Sequence, residues 1–158
     1  MKRTAAALIF GLAMIATAPC LAEDKVADVT DMQALRNATR ADKRTLVEST
    51  LKLTPAEAKK FWPIYTAYQR SVELTDRRRN VALEGLVGFD RPLSDLYAKN
   101  LANEMIAADE AEMKARRTLQ NRVMRALPAK KAARYLQLES KVRAVQAFDI
   151  AAAFPLVR

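Results

Sequence analysis

Histidine is absent from this chain, and cysteine occurs once, at Cys20. Without histidine the protein lacks the usual general base, the commonest zinc ligand and the usual switch near neutral pH. Cys20 lies in a segment that the sequence marks for removal. What remains can form no internal disulfide, no thiolate metal site and no cysteine nucleophile. Glycine is nearly missing too, with three in 158 residues. No phosphate-binding glycine loop is present. Scarce glycine, few β-branched runs and abundant Ala, Leu, Lys, Arg and Glu predict an all-α protein.

Residues 1–22 read as a secretory signal peptide. Lys2 and Arg3 form a basic start, Ala5 to Ala18 a short apolar stretch, and Cys20 and Ala22 supply small residues at −3 and −1. About 15 apolar residues are too few for a comfortable membrane span. Cleavage after Ala22, no stable membrane anchor and a periplasmic destination are therefore expected. A lipoprotein cysteine at Cys20 and an uncleaved anchor are the alternatives. Pro19 opposes the first, because lipoprotein processing favours a small residue there. Residues 23–158 are expected to form a single domain, with 25 basic and 18 acidic side chains.

Leu53-Thr54-Pro55-Ala56-Glu57 carries the signature of a capping box: Thr54 as N-cap, Pro55 at the first helical position and Glu57 at the third. Four of the nine aromatics after residue 22 follow at once, as Phe61, Trp62, Tyr65 and Tyr68. A weaker echo begins 74 positions later, at Leu127-Pro128-Ala129-Lys130-Lys131. In that alignment Ala58 falls over Ala132, Phe61 over Tyr135, Ile64 over Leu138 and Tyr68 over Val142, the mark of a repeated helical unit.

Four helices are expected. The first spans about Asp31 to Leu51, with Leu35, Ala38, Leu46 and Leu51 apolar. The second runs from Pro55 to about Leu86 and is phased by Phe61, Tyr65, Tyr68, Val72 and Leu83. Pro63 removes one backbone hydrogen bond from it, bending rather than breaking it. Gly85 to Pro92 is the strongest turn signal. The third helix fits about Leu93 to Leu127, with Leu101, Met105, Ala108, Ala115, Leu119 and Val123 on one face. The fourth fits about Ala129 to Ala152, with Tyr135, Leu138, Val142, Val145 and Phe148. Helices of about 30 residues reach about 45 Å, so an elongated helical hairpin is expected. A thin hairpin leaves apolar stripes uncovered, which points to a homodimer.

No catalytic constellation, cofactor motif or metal-ligand cluster emerges. Asp109, Glu110 and Glu112 form a possible carboxylate group, but neighbours on a helix normally point apart into solvent. Met32, Met105, Met113 and Met124 are scattered core filler. The charge run is more pointed. Between Lys114 and Arg134 stand eight basic residues and no acid: Lys114, Arg116, Arg117, Arg122, Arg125, Lys130, Lys131 and Arg134. Pairs such as Glu110 with Lys114 and Glu112 with Arg116 would absorb only its first turn. The rest makes a basic face for acidic partners or anionic surfaces. Arg77-Arg78-Arg79 either joins that face or complements the negative end of its helix. A secretory signal and the lack of a recognition motif argue against nucleic acid. The apolar tail after Ala147 either docks on the domain or a sister subunit, or serves as a flexible hydrophobic contact.

In layout the chain resembles the Spy/CpxP family of bacterial periplasmic proteins, in which two Leu-Thr-x-x-Gln motifs each open a helix. Here Leu53 to Glu57 and Leu127 to Lys131 stand in their places, with Glu57 and Lys131 for Gln and Pro128 for Thr. The resemblance implies a cradle-like antiparallel homodimer with a basic concave surface. It further implies ATP-independent chaperoning or inhibition of an envelope-stress sensor, and no enzyme activity. The expected partners are unfolded or stressed envelope proteins, held on the eight basic residues above. A regulatory module docking on a sensor's periplasmic domain, or a structural protein binding anionic surfaces, are the other readings.

Overall fold

The computed structural model describes residues 31–87 and 93–157. The expected signal peptide, residues 23–30 and most of the predicted turn, residues 88–92, lie outside them. Four helices occur and, among the described residues, no strand: α1 Met32–Leu51, α2 Pro55–Val87, α3 Asp95–Ala126 and α4 Ala129–Ala153. The all-α expectation holds.

Local chemistry explains most helix ends. Asp31 caps α1 by accepting from the backbone N–H groups of Gln33 and Ala34, and Ser94 caps α3 by accepting from Tyr97 N–H. At α2 the capping box forms in both directions. Thr54 N–H donates to Glu57 Oε2 at 2.8 Å, and Glu57 N–H donates to Thr54 Oγ1 at 3.3 Å. α4 begins behind Pro128, which offers no side-chain cap. α1 stops where Lys52 turns into the left-handed region at φ 44°. α2 then runs through Pro63 as one element.

α1 departs from expectation. It is two helical pieces meeting at Asp42, whose backbone is extended (φ −164°, ψ 101°). The Asp42 carboxylate accepts from Arg44 N–H at 2.8 Å, from Thr45 N–H at 3.2 Å and from the Thr45 hydroxyl. Aspartate competes with the helical backbone for hydrogen bonds and here starts a new helix instead of continuing the old one. The Thr45 hydroxyl first, and the two N–H groups with it, hold the carboxyl below its usual range.

α2 and α3, at 33 and 32 residues, form an antiparallel pair about 50 Å long. Arg78 meets Glu104 and Arg79 meets Asp109 across it. Gly85 lies so close to Tyr97 that a Cβ there would sit 1.6 Å from the phenol oxygen. α4 folds back along α3, and α1 lies antiparallel along α4, joined by Arg36–Asp149 at 2.7 Å and Lys43–Glu139 at 2.8 Å. α1 and α3 therefore run toward one pole of the molecule, where both inter-helix corners sit, while α2 and α4 run away from it.

The main core collects one face of each helix: Leu35, Val47 and Leu51 from α1, Phe61, Tyr65, Tyr68 and Val72 from α2, Leu119 and Val123 from α3, and Ala132, Tyr135, Leu138, Val142 and Val145 from α4. Five residues expected as core or core filler are exposed instead: Met32, Met105, Met113, Met124 and Phe148. Met105 is 40% exposed and Phe148 65%, its ring lying under the Arg36 guanidinium at 5.6 Å.

Beyond Val72 the core gives way to charge. Arg143 is 5% exposed. Its fork donates to both Asp76 oxygens, at 2.9 and 3.1 Å, and to Glu112 Oε1 at 2.9 Å. Arg79 reaches Asp76 at 3.0 Å and Glu112 at 3.2 Å in the same layer. Burial alone would weaken the proton affinity of Arg143, but its hydrogen bonds to Asp76 and Glu112 outweigh it and raise the pKa. Burial likewise opposes charge on Glu112, and Arg143 outweighs it, lowering that pKa. The layer ties α2, α3 and α4 together at one level. Glu112 is thus not a solvated acid, nor does it pair with Arg116.

Candidate partner-binding surface

α3 is the element that displays the basic run. Its buried face holds Leu101, Ala108, Leu119 and Val123, so a period of 3.6 residues throws the intervening cations onto its flanks. Lys114 and Arg122 project into a groove between α2 and α3 of about 470 Å³, walled by Ile64, Ala67, Leu74, Ala111, Ala115 and Leu119. Arg116 and Arg117 line a second groove, of about 250 Å³, between α3 and α4, with Met113, Leu136 and Ser140. Arg116 reaches Ser140 Oγ at 3.5 Å. Among the described residues, no acid lies within ion-pair distance of Lys114, Arg116, Arg117 or Arg122.

The other four predicted residues sit at the pole. Arg125 is exposed and donates to the Asn121 carbonyl of its own helix at 2.9 Å. Lys130 and Arg134 are exposed on the first turns of α4. Lys131 behaves differently: its ammonium donates to Glu57 at 2.7 Å and to the Lys52 carbonyl at 3.0 Å, bolting the two corners together. Lys131 first, then the Thr54 N–H, holds the Glu57 carboxyl below its usual range.

The fold adds cations that a linear run leaves out. Lys52, Lys59 and Lys60 belong to the first corner and meet the second at the same pole. Residues 47–62 and 119–136 hold eight cations and two acids, Glu48 and Glu57, whereas the remaining described residues hold 14 cations and 12 acids. Six of the eight excess positive charges among the described residues therefore sit at one end. A helical wheel of α3 cannot show this, because three of the eight cations come from the first corner and the start of α2.

Two expectations resolve differently. Arg77, Arg78 and Arg79 neither join the basic face nor cap a helix end; each pairs with an acid, namely Glu73, Glu104, and Asp76 with Asp109 and Glu112. The aromatics are scaffold. Phe61 packs edge-on against Tyr135 at 4.9 Å, and Trp62 is half-buried beneath the Arg44 guanidinium at 4.2 Å. The tail lines an apolar pocket of about 420 Å³ with Leu83, Leu101, Met105 and Ile150. Phe154 is partly buried there, while Leu156 is 91% exposed.

Among the described residues no group of three or more metal-capable side chains occurs, and no helix is long and apolar enough to cross a membrane. The chain matches no protein-family model, and no curated protein and no solved structure is significantly similar to it.

Proposed function

We propose that this protein is a non-enzymatic, ATP-independent holdase of the bacterial periplasm, a divergent relative of the Spy/CpxP proteins that works as a homodimer. The observation that carries the reading is the seating of cations with no acid partner among the described residues in grooves on both flanks of α3, the α2–α3 groove being mainly apolar-walled. Unfolded chains expose apolar side chains mixed with carboxylates. Long-range attraction brings the acidic stretches in quickly, and shallow apolar contact holds them weakly enough to let go. Basic side chains add to the apolar contact, because their methylene stems pack while their charges stay wet.

The direct test is light scattering from a chemically denatured client diluted into the purified protein, lacking residues 1–22, at stoichiometric ratio and low salt. Suppressed aggregation that weakens with added salt supports the holdase. Unchanged aggregation sinks it. Crosslinking in cells then separates the chaperone from a regulator: many unrelated envelope proteins mark the former, and one dominant membrane sensor the latter.

A further inference from the structure

The basic pole and the grooves are different surfaces, and the pole carries its own inference. Lys59 and Lys60 at the start of α2, Arg125 at the end of α3, and Lys130 and Arg134 at the start of α4 are all exposed. None has an acid within ion-pair distance among the described residues. Both acids at this end are already engaged, Glu57 by Lys131 and Glu48 by Arg44. Among the described residues, the charge on these five cations is therefore uncompensated.

We propose that this pole docks end-on to an anionic bilayer surface, through the phosphate-bearing headgroups. Its shape favours a plane over a strand. The cations come from three helix ends and form a cap around the end of the molecule, whereas a linear polyanion is gripped by a track of cations along a groove. Clusters of four to eight Lys and Arg are the usual determinant of attraction to anionic leaflets. The near balance of charge elsewhere leaves the field directed out of one end, so approach is oriented. Met124, 47% exposed, and half-buried Trp62 stand at the same end and offer apolar contact at headgroup depth. Docked this way, the long axis stands off the surface and both α3 grooves stay open to solvent.

The test is co-sedimentation of the chain lacking residues 1–22 with phosphatidylcholine vesicles, with and without phosphatidylglycerol. Binding is expected only with the anionic lipid. Lys130→Glu with Arg134→Glu should weaken it by more than about tenfold, since each cation near the surface is worth roughly fivefold. Arg70→Glu with Lys99→Glu changes net charge equally, far along α2 and α3. Those positions lie more than a Debye length of about 8 Å from the surface, so that pair should bind nearly as well as the parent. If charge reversal disturbs the fold, Lys130→Gln with Arg134→Gln serves in its place. Equal loss from both pairs, or binding to zwitterionic vesicles alone, overturns the proposal. So does capture of soluble polyglutamate or polyphosphate without vesicle binding, which marks a linear-polyanion site. Client aggregation is measured without lipid, so failure of the holdase reading leaves this result untouched.

Discussion

Phe61 and Tyr135 meet edge to face, with ring centroids 4.9 Å apart and planes at 86°. They occupy the same position in the two copies of the repeated unit, 74 residues apart. Glu57 and Lys131 bear the same relation and form an ion pair at 2.7 Å. Contacts between equivalent positions are what an approximate internal two-fold axis produces. The packing agrees: α2 lies on α3 as α4 lies on α1. The two helix starts are therefore the joint around which the molecule is built.

That joint should be energetically coupled. Phe61→Ala and Tyr135→Ala each empty a fully buried site and are expected to cost about 3–5 kcal/mol. The double variant should fall short of the sum by about 1 kcal/mol, the usual value of an edge-to-face pair. Urea denaturation of the four proteins in the cycle measures it.

Arg143 is expected to be needed for stability without being optimal for it. Arg143→Met leaves Asp76 and Glu112 poorly compensated in a low-dielectric layer and should cost about 3–5 kcal/mol. Arg79 still faces both acids, which places the loss toward the lower end of that range. Removing the acids as well, with Asp76→Leu and Glu112→Leu added, should recover most of it. Chemical denaturation distinguishes this from simple loss of packing, in which the added changes would bring no recovery.

Helix initiation offers a narrower test. Thr54→Ala removes one half of the capping box and should cost about 1 kcal/mol. Thr54→Ser should cost almost nothing. Asp42→Ala removes the side chain that restarts α1, and amide exchange should rise at Arg44 and Thr45, where its hydrogen bonds are lost.

Stability should fall at both ends of the pH scale. The Glu57 and Glu112 carboxyls are held below their ordinary 4.5 in the fold. The unfolded chain therefore takes up protons first, and stability present above about pH 4.5 is lost as pH drops through the folded values. At the alkaline end, burial first, and then the Glu139 charge, raise the Tyr65 phenol to about 12. Its contribution is complete below pH 10 and disappears as pH rises through 12. Thermal melts across pH should show both limbs, with Glu112→Gln flattening the acid limb and Tyr65→Phe the alkaline one.

Much of the fold could be read from periodicity and punctuation. Pro55, Pro128 and the glycines near residue 85 mark the helix boundaries, and the stripe from Phe61 to Val72 marks the face that is buried. The break in α1 was hidden, because an aspartate mid-helix looks like an exposed polar position until its carboxylate is seen to accept its own downstream N–H groups. The Asp76–Glu112–Arg143 layer was hidden for a different reason. Its members come from three helices, and within each helix they look like solvent-facing charge. The basic surface was half legible: the α3–α4 run stands out along the chain, but Lys52, Lys59 and Lys60 reach it only when the two corners meet.

The measurement that bears most directly on function compares Lys114→Glu with Arg122→Glu against Arg70→Glu with Lys99→Glu in the client-aggregation assay. Both pairs lower net charge equally, and only the first lies in the α2–α3 groove. Loss of suppression confined to the groove pair is the predicted result. Equal suppression by both variants, or an equal loss in both, would contradict the assignment of client binding to the flanks of α3.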